Sequence, residues 1–162
     1  MRAFACAIGP IADYIPGPDM GTDETCMAWI KDEIGRSVGL PLELGGIPLD
    51  RIGATGFGLA VSAETAQDGA GVRLQRARVV VQGFGSVGKH AAQFLAEKGA
   101  VLVAASDSTS AVIDSDGIDL EELIAIKNET GQVRDYPKGR KLERYAWSRS
   151  SVRSGSRRRA RT

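Results

Sequence analysis

The clearest pattern of apolar positions lies in the middle of the chain. Arg78–Gln82 is a short β-branched run that is typical of a buried parallel strand, and apolar residues at helical spacing follow it up to Gly99. Val101–Ala105 is a second apolar run of strand length. Strand, helix and strand in this order predict a βαβ unit with a right-handed crossover.

Helical patterns also precede this unit. Apolar residues at helical spacing predict a helix over about Thr22–Arg36, with Thr22 as its cap. Pro41–Gly53 is rich in glycine and proline and has no period, so we predict a loop there. The helical pattern returns in Ala54–Gln67.

Downstream of the unit the pattern predicts one more strand and one more helix. Ala111–Ile113 is a short apolar run that is followed by a turn at Asp114–Gly117. Asp119 is predicted to cap a helix with apolar residues at helical spacing. Two or three strands in all correspond to about half of a doubly wound sheet.

A glycine-rich turn joins the first central strand to its helix. It consists of Gly83, Phe84, Gly85, Ser86, Val87 and Gly88. In a dinucleotide-binding turn the first glycine permits the sharp bend, the second lets a pyrophosphate approach the backbone, and the third packs helix against strand. The helix N-terminus supplies N–H groups and partial positive charge to the phosphates. The turn in this context predicts an α/β fold with a Rossmann-like βαβ unit in a partial doubly wound sheet, although a purely structural turn has the same glycines.

An acidic residue follows the second central strand. Asp107 comes 19 residues after Gly88, and Ser108 follows it. A carboxylate at this position accepts a hydrogen bond from an adenosine ribose hydroxyl and repels the additional phosphate of NADP. We therefore predict Asp107 and Ser108 as cofactor-binding residues and NAD as the cofactor, with NADP not excluded. The alternative for Asp107 is a capping or solvent-exposed aspartate.

Charge changes the interpretation of the C-terminus. The 162 residues are 43% hydrophobic and 25% charged, which is ordinary for a globular protein. The net charge of +1 hides six arginines after residue 148, which leave 15 basic and 20 acidic residues before them. We expect residues 145–162 to be a disordered Arg/Ser tail or the product of a reading-frame shift near Arg144. The acidic body, and the lack of aromatic residues near these arginines, disfavour nucleic acid as a partner.

The composition also bears on membranes and metals. No apolar run approaches the roughly 20 residues of a membrane-spanning helix, and the first residues lack a signal-peptide pattern. We therefore expect a cytoplasmic protein that makes no membrane contact. One histidine and two cysteines cannot provide the usual four-ligand zinc site, so no metal is predicted.

Four motifs occur in an order that is known from one enzyme family. They are Ile15–Glu24, Pro41–Gly46, Ala54–Gly58 and Val81–Gly85. These segments resemble the signatures of the glutamate, leucine, phenylalanine and valine dehydrogenases, over about residues 2–144. The resemblance implies NAD(P)-dependent, reversible oxidative deamination of an L-amino acid to a 2-oxo acid and ammonia, with glutamate as the favoured substrate. It also implies that the parent enzyme is a homo-oligomer.

The resemblance implies roles for two residues outside the glycine turn. Asp19 matches the catalytic acid/base residue of the family, which exchanges a proton with the substrate amino group. Thr55 matches the residue that hydrogen-bonds the nicotinamide carboxamide. The residues alone allow a second interpretation of each, with Asp19 as a turn aspartate bound to its own backbone and Thr55 as a helix cap.

The resemblance further implies a truncated enzyme. Residues 1–53 correspond to a remnant of the substrate domain and the helical junction, residues 54–144 to a partial NAD(P)-binding domain, and residues 145–162 to the tail. The family holds its substrate with lysines upstream of the catalytic aspartate, and residues 1–18 contain no lysine. We therefore expect a chain that binds a nucleotide without catalysis. The other functional classes are a nucleotide-sensing regulatory module and nucleic-acid binding through the arginine tail.

Overall fold

The computed structural model describes residues 14–143 of the chain. Contacts between residues divide the chain into two compact units, with the boundary between Ala54 and Thr55. The predicted Arg/Ser tail, residues 145–162, lies outside the described residues. The assignment of the first unit to a substrate domain stays a prediction.

The first unit contains one α-helix, α1 (Glu24–Ile34), within its described residues. Its cap is Asp23, whose Oδ1 accepts the Cys26 N–H at 2.9 Å, so the prediction of Thr22 as the cap is wrong by one residue. Thr22 Oγ1 accepts the Asp19 N–H and donates to the Asp19 carbonyl, both at 2.8 Å. Threonine and aspartate are both good caps, and Thr22 is engaged in the preceding turn. The predicted loop after the helix is confirmed, with a short 3-10 turn at Leu42–Leu44.

The second unit is built on a four-stranded sheet, in the order β1-β2-β3-β4. The strands are β1 (Arg78–Gln82), β2 (Val101–Ser106), β3 (Ser110–Ile113) and β4 (Arg140–Glu143). β1 and β2 are parallel, whereas β3 is antiparallel to both β2 and β4. The central βαβ unit and the short third strand are therefore confirmed. β4 was not predicted, because three of its four residues are charged.

Within residues 55–143, this unit has four α-helices, of which the first begins one residue before the boundary. They are α2 (Ala54–Thr65), α3 (Gln67–Ala70), α4 (Ser86–Glu97) and α5 (Leu120–Thr130). α4 is the crossover between the two parallel strands. α5 begins as predicted, with Asp119 Oδ1 accepting the Glu122 N–H at 3.1 Å. No helix within residues 14–143 is long and apolar enough to cross a membrane.

The core of the second unit holds the sheet against its helices. One cluster of buried side chains contains Phe84, Ala92, Leu102, Ala105, Val112, Ile118, Leu123, Val133 and Tyr136. A second cluster contains Ala60, Leu74, Leu95 and Ala100. Tyr136 is almost fully buried, and its hydroxyl accepts the Asp119 N–H at 3.0 Å. The first cluster therefore lies beneath the glycine turn, through Phe84, and beneath the start of α5.

Candidate functional site

One carbonyl group joins the carboxyl ends of β1 and β2. The Ser106 carbonyl accepts the Gly83 N–H at 2.9 Å and the Phe84 N–H at 2.7 Å. Gly83 has a φ of +90°, a conformation that favours glycine, and it lets the chain turn from β1 into α4. Ligands of parallel α/β sheets bind outside the carboxyl ends of the strands. This edge of the sheet is therefore the candidate site.

Gly88 and Gly85 have opposite surroundings. A Cβ atom on Gly88 would overlap the Gly83 carbonyl oxygen and lie 3.0 Å from Val81 Cγ1. Only glycine lets α4 approach β1 this closely. A Cβ atom on Gly85 would meet no atom within 4 Å, and Gly85 is exposed. The backbone at Gly85 is thus open to an incoming group, which fits the role predicted for the second glycine.

The first turn of α4 has N–H groups available for an anion. The first hydrogen bond of the helix runs from the Lys89 N–H to the Gly85 carbonyl, at 2.9 Å. The N–H groups of Ser86, Val87 and Gly88 precede that bond, and N–H groups at this position in a helix have no acceptor within the helix. Ser86 and Val87 are exposed. Such N–H groups, with the positive end of the helix dipole, suit a phosphate.

Phe84 holds the turn from inside. Its side chain is 1% exposed and belongs to the core, and its N–H is bound to the Ser106 carbonyl. Phe84 therefore fixes the conformation of the glycine turn, and its side chain is not available to a ligand in this structure.

Asp107 is turned into the protein, and its side chain is only 6% exposed. Oδ1 accepts the Thr109 N–H at 2.9 Å, the Thr109 hydroxyl at 2.8 Å and the Ser110 N–H at 3.0 Å. Oδ2 accepts Lys127 Nζ at 2.8 Å and the Val133 N–H at 2.9 Å. The carboxylate is therefore surrounded by donors from the protein itself, and the solvent-exposed alternative for Asp107 is not observed.

The donors around Asp107 also determine its charge. Burial opposes ionisation of the carboxyl group, but the hydrogen bonds from Lys127, Val133 and Thr109 outweigh it and hold the pKa of Asp107 well below its ordinary value. Asp107 is therefore negatively charged at neutral pH and forms an ion pair with Lys127. Lys127 also donates to the Gly131 carbonyl at the end of α5.

Sequence reasoning missed Lys127 and Val133. They come 20 and 26 residues after Asp107, so no local spacing connects them with it. The one available signal was a lysine in the last turn of a predicted helix, where a cation is favoured by the helix dipole. That signal does not identify the acidic partner.

Ser108 lies on the outside of the same loop. It is exposed, whereas Ser110, two residues later, is buried in β3. The structure thus places a neutral hydroxyl side chain on the surface beside a buried carboxylate. Its predicted contact with a cofactor stays a prediction.

Asp19 lies in the first unit, in the turn before α1. It is exposed, and Oδ1 accepts the Met20 N–H at 2.7 Å. This hydrogen bond is the one expected if Asp19 is a turn aspartate bound to the local backbone, and it involves one of the two carboxylate oxygens. The acid/base role of Asp19 stays a prediction.

Thr55 lies in the first turn of α2 and is exposed. The helix begins at Ala54, which puts Gly53 at the capping position. The helix-cap interpretation of Thr55 is therefore wrong. The predicted contact of Thr55 with a carboxamide stays a prediction.

Comparisons with known proteins agree on one family. Residues 45–153 match the family model of the Glutamate/Leucine/Phenylalanine/Valine dehydrogenases. The chain is 44% identical to a glutamate dehydrogenase of Aeropyrum pernix over 137 residues, which are 79% of this chain and 32% of that protein. It is 39% identical to an NADP-specific glutamate dehydrogenase of Saccharolobus shibatae over 137 residues, again 79% of this chain and 32% of that protein.

A solved structure shows the same fold. The chain is similar to the hetero-hexameric glutamate dehydrogenase from Thermus thermophilus in its leucine-bound form, with a TM-score of 0.67 and 32% identity. The match covers 85% of this chain and 35% of that one. The chain spans about a third of the length of the curated relatives it matches.

Proposed function

The chain belongs to the Glutamate/Leucine/Phenylalanine/Valine dehydrogenase family, and from this premise we propose that residues 55–143 bind the nicotinamide dinucleotide of an amino-acid dehydrogenase. The proposed reaction is the reversible oxidative deamination of an L-amino acid to a 2-oxo acid and ammonia. The names of the relatives favour glutamate as the substrate. NAD is the proposed cofactor, and the NADP-specific relative supports keeping NADP as the alternative.

The observation that carries this proposal is the open backbone at Gly85. A Cβ atom there would meet no atom within 4 Å, while a Cβ atom on Gly88 would overlap the Gly83 carbonyl oxygen. The turn is therefore closed where helix and strand pack and open where a pyrophosphate would approach. The N–H groups of Ser86 and Val87 would hold the phosphates, in the manner of other helix N-termini.

The remaining cofactor contacts come from neighbouring positions. Thr55 is proposed to bind the carboxamide, and the loop at Asp107 and Ser108 is proposed to lie beside the adenosine ribose. The cofactor, when bound, supplies the hydride acceptor and donor of the reaction. The proposed contacts of Thr55 and of the first turn of α4 would hold and orient it.

Asp19 is proposed to exchange a proton with the nitrogen of the substrate amino group. Its support is the family motif at Ile15–Glu24, in which Asp19 stands at the position of the catalytic aspartate. We further propose that the 162-residue chain binds nucleotide but does not catalyse alone. The parent enzyme is proposed to be an oligomer, as the Thermus thermophilus relative is described to be.

Nucleotide binding can be tested on the 162-residue chain by titration with NADH, followed by the change in NADH fluorescence. Gly85→Ala places a methyl group in the open space, and it should fold because no atom lies within 4 Å of the new Cβ. We expect it to weaken NADH binding about tenfold or more. Gly58→Ala in α2 is the matched control, since its Cβ also meets no atom within 4 Å. Equal NADH affinity in the two variants would contradict the proposed site.

A further inference from the structure

We propose that His90 binds the ribose next to the nicotinamide, through its ring nitrogen Nε2, when a dinucleotide occupies the site. This inference rests on the proposed function, because it concerns the nicotinamide half of the same nucleotide. His90 lies in the second turn of α4, two residues after the last glycine of the turn. It is half-buried, and none of the cofactor contacts proposed above uses it.

α2 and α4 lie side by side and run in the same direction. Near the start of both helices, a Cβ atom on Gly56 would lie 2.7 Å from His90 Cβ and 2.6 Å from the Ala91 nitrogen, so only glycine permits this approach. Near the ends of the helices, Lys98 Nζ lies 2.6 Å from Glu64 Oε2. The two contacts are eight residues apart along each of the two segments. The N-termini of α2 and α4 are therefore at the same end.

His90 thus lies between two groups that are proposed to hold the nucleotide. Thr55, the proposed partner of the carboxamide, precedes Gly56 in the first turn of α2. Ser86 and Val87, whose N–H groups are proposed to hold the phosphates, lie in the first turn of α4. In a nicotinamide dinucleotide a ribose connects the phosphates to the nicotinamide ring. A dinucleotide that makes both proposed contacts therefore places this ribose beside His90.

The imidazole ring of His90 is held in one orientation. Its Nδ1 lies 2.8 Å from the carbonyl oxygen of Ser86, one helical turn earlier. A carbonyl oxygen only accepts hydrogen bonds, so Nδ1 carries the hydrogen, and in the neutral ring Nε2 is left as an acceptor. The ring extends back over the first turn of α4, as long side chains in helices usually do. Nε2 has no hydrogen-bond partner among residues 14–143.

The hydrogen-bonding character of Nε2 selects a hydroxyl group over a phosphate. The oxygens of an ionised diphosphate accept hydrogen bonds and donate none, so they cannot pair with an acceptor nitrogen. A ribose hydroxyl is a donor and fits Nε2 of the neutral ring. One such hydrogen bond should tighten binding by about fivefold.

The test is isothermal titration calorimetry of the 162-residue chain at about pH 8, where an ordinary imidazole is neutral. The ligands are ADP and ADP-ribose, which has the second ribose but no nicotinamide. His90→Phe keeps a planar ring and removes both nitrogens. It should weaken ADP-ribose binding about fivefold and leave ADP binding within about twofold of the unchanged chain.

Two amide variants separate the two ring nitrogens. His90→Gln puts an amide group near the position of Nε2 and should restore most of the affinity for ADP-ribose. His90→Asn is the matched control, because its shorter side chain reaches only the position of Nδ1, and it should behave as His90→Phe does. All three variants keep the Cβ atom that faces Gly56, so the closest contact between α2 and α4 is retained.

The contrary results differ in which ligand changes. Equal weakening of ADP and ADP-ribose binding in His90→Phe would mean that His90 only shapes the fold. Unchanged affinity for ADP-ribose in His90→Phe would mean that the imidazole makes no contact with the ribose. Either result overturns the inference and leaves the nucleotide site in place. If the unchanged chain binds neither ligand, the proposed function itself fails, and the inference fails with it.

Discussion

Lys127 Nζ lies 2.8 Å from Asp107 Oδ2, and this ion pair connects the last turn of α5 to the loop that follows β2. The same carboxylate oxygen accepts the Val133 N–H at 2.9 Å. A single side chain thus connects the loop after β2 to the end of α5 and to Val133, which come 20 and 26 residues later in the sequence. Its loss should affect the stability of the second unit as well as the shape of the loop.

Asp107 should make the stability of the protein depend on acidity. Folding lowers the pKa of the Asp107 carboxyl group below its value in the unfolded chain, which is about 3.9. The ionised carboxylate therefore stabilises the fold at pH values above this unfolded pKa, and the stabilisation is lost as the pH falls from there through the folded pKa. We expect Asp107→Asn to reduce the free energy of unfolding by about 2–3 kcal/mol at pH 7, because Lys127 loses its partner. The difference in the free energy of unfolding between Asp107→Asn and the unchanged chain should decrease as the pH is lowered from about 5. Urea unfolding at pH 7, 5, 4 and 3 measures it.

Asp68→Asn is the matched control for this prediction. Asp68 pairs with Arg73 at 3.0 Å, but both side chains are exposed, and an exposed pair of this kind contributes little. Its effect on unfolding should be small at every pH. The prediction for Asp107 is wrong if Asp107→Asn and Asp68→Asn show the same pH dependence.

Gly88→Ala should destabilise the second unit, because the new methyl group would overlap the Gly83 carbonyl oxygen. Overpacking of this kind costs about 1–3 kcal/mol. Gly58→Ala also replaces a glycine in a helix, but its Cβ meets no atom within 4 Å, so it should be neutral or stabilise by up to about 1 kcal/mol. Thermal unfolding followed by circular dichroism compares the two. Equal melting temperatures would show that α4 does not pack as closely on β1 as the structure has it.

The predictions from sequence succeeded where the signal is local. β1, α4 and β2 were found because an apolar run, a glycine turn and helical spacing lie within about thirty residues of each other. The cap of α1 was misplaced by one residue, since the sequence does not show that Thr22 is engaged by Asp19. β4 was missed because Leu142 is its one apolar residue, and an edge strand needs few.

The environment of Asp107 could not be predicted for a different reason. A carboxylate at the end of the second strand fits both a ribose contact and an internal ion pair, and the choice depends on Lys127 and Val133. These two residues reach Asp107 only after α5 has packed against the sheet. Roles that depend on such distant contacts are not encoded in the local spacing.

Arg76 should tolerate replacement by glycine with a gain in stability. It is the one residue other than glycine with a positive φ among the described residues, at +61°, and its N–H donates to the Gly99 carbonyl at 2.7 Å. Glycine adopts this conformation without the steric strain that a Cβ atom causes. The free energy gained in this way is expected to exceed the entropic cost of a more flexible unfolded chain, so we expect a net gain in stability of about 0.5–1 kcal/mol. Arg73→Gly is the control, because Arg73 has no positive φ. A lower melting temperature for Arg76→Gly than for Arg73→Gly would contradict this prediction.

The 162-residue chain should bind NADH without oxidising it in the presence of ammonia and 2-oxoglutarate. The chain spans about a third of the relatives' length, and residues 1–18 contain no lysine to hold the carboxylate of a 2-oxo acid. Without that contact the substrate is not positioned near the cofactor, and positioning supplies much of the acceleration in such reactions. The absorbance of NADH at constant temperature measures turnover, and the full-length Aeropyrum pernix relative is the positive control. Oxidation above the enzyme-free rate that disappears in Asp19→Asn would disprove the predicted inactivity, and it would at the same time support the acid/base role of Asp19.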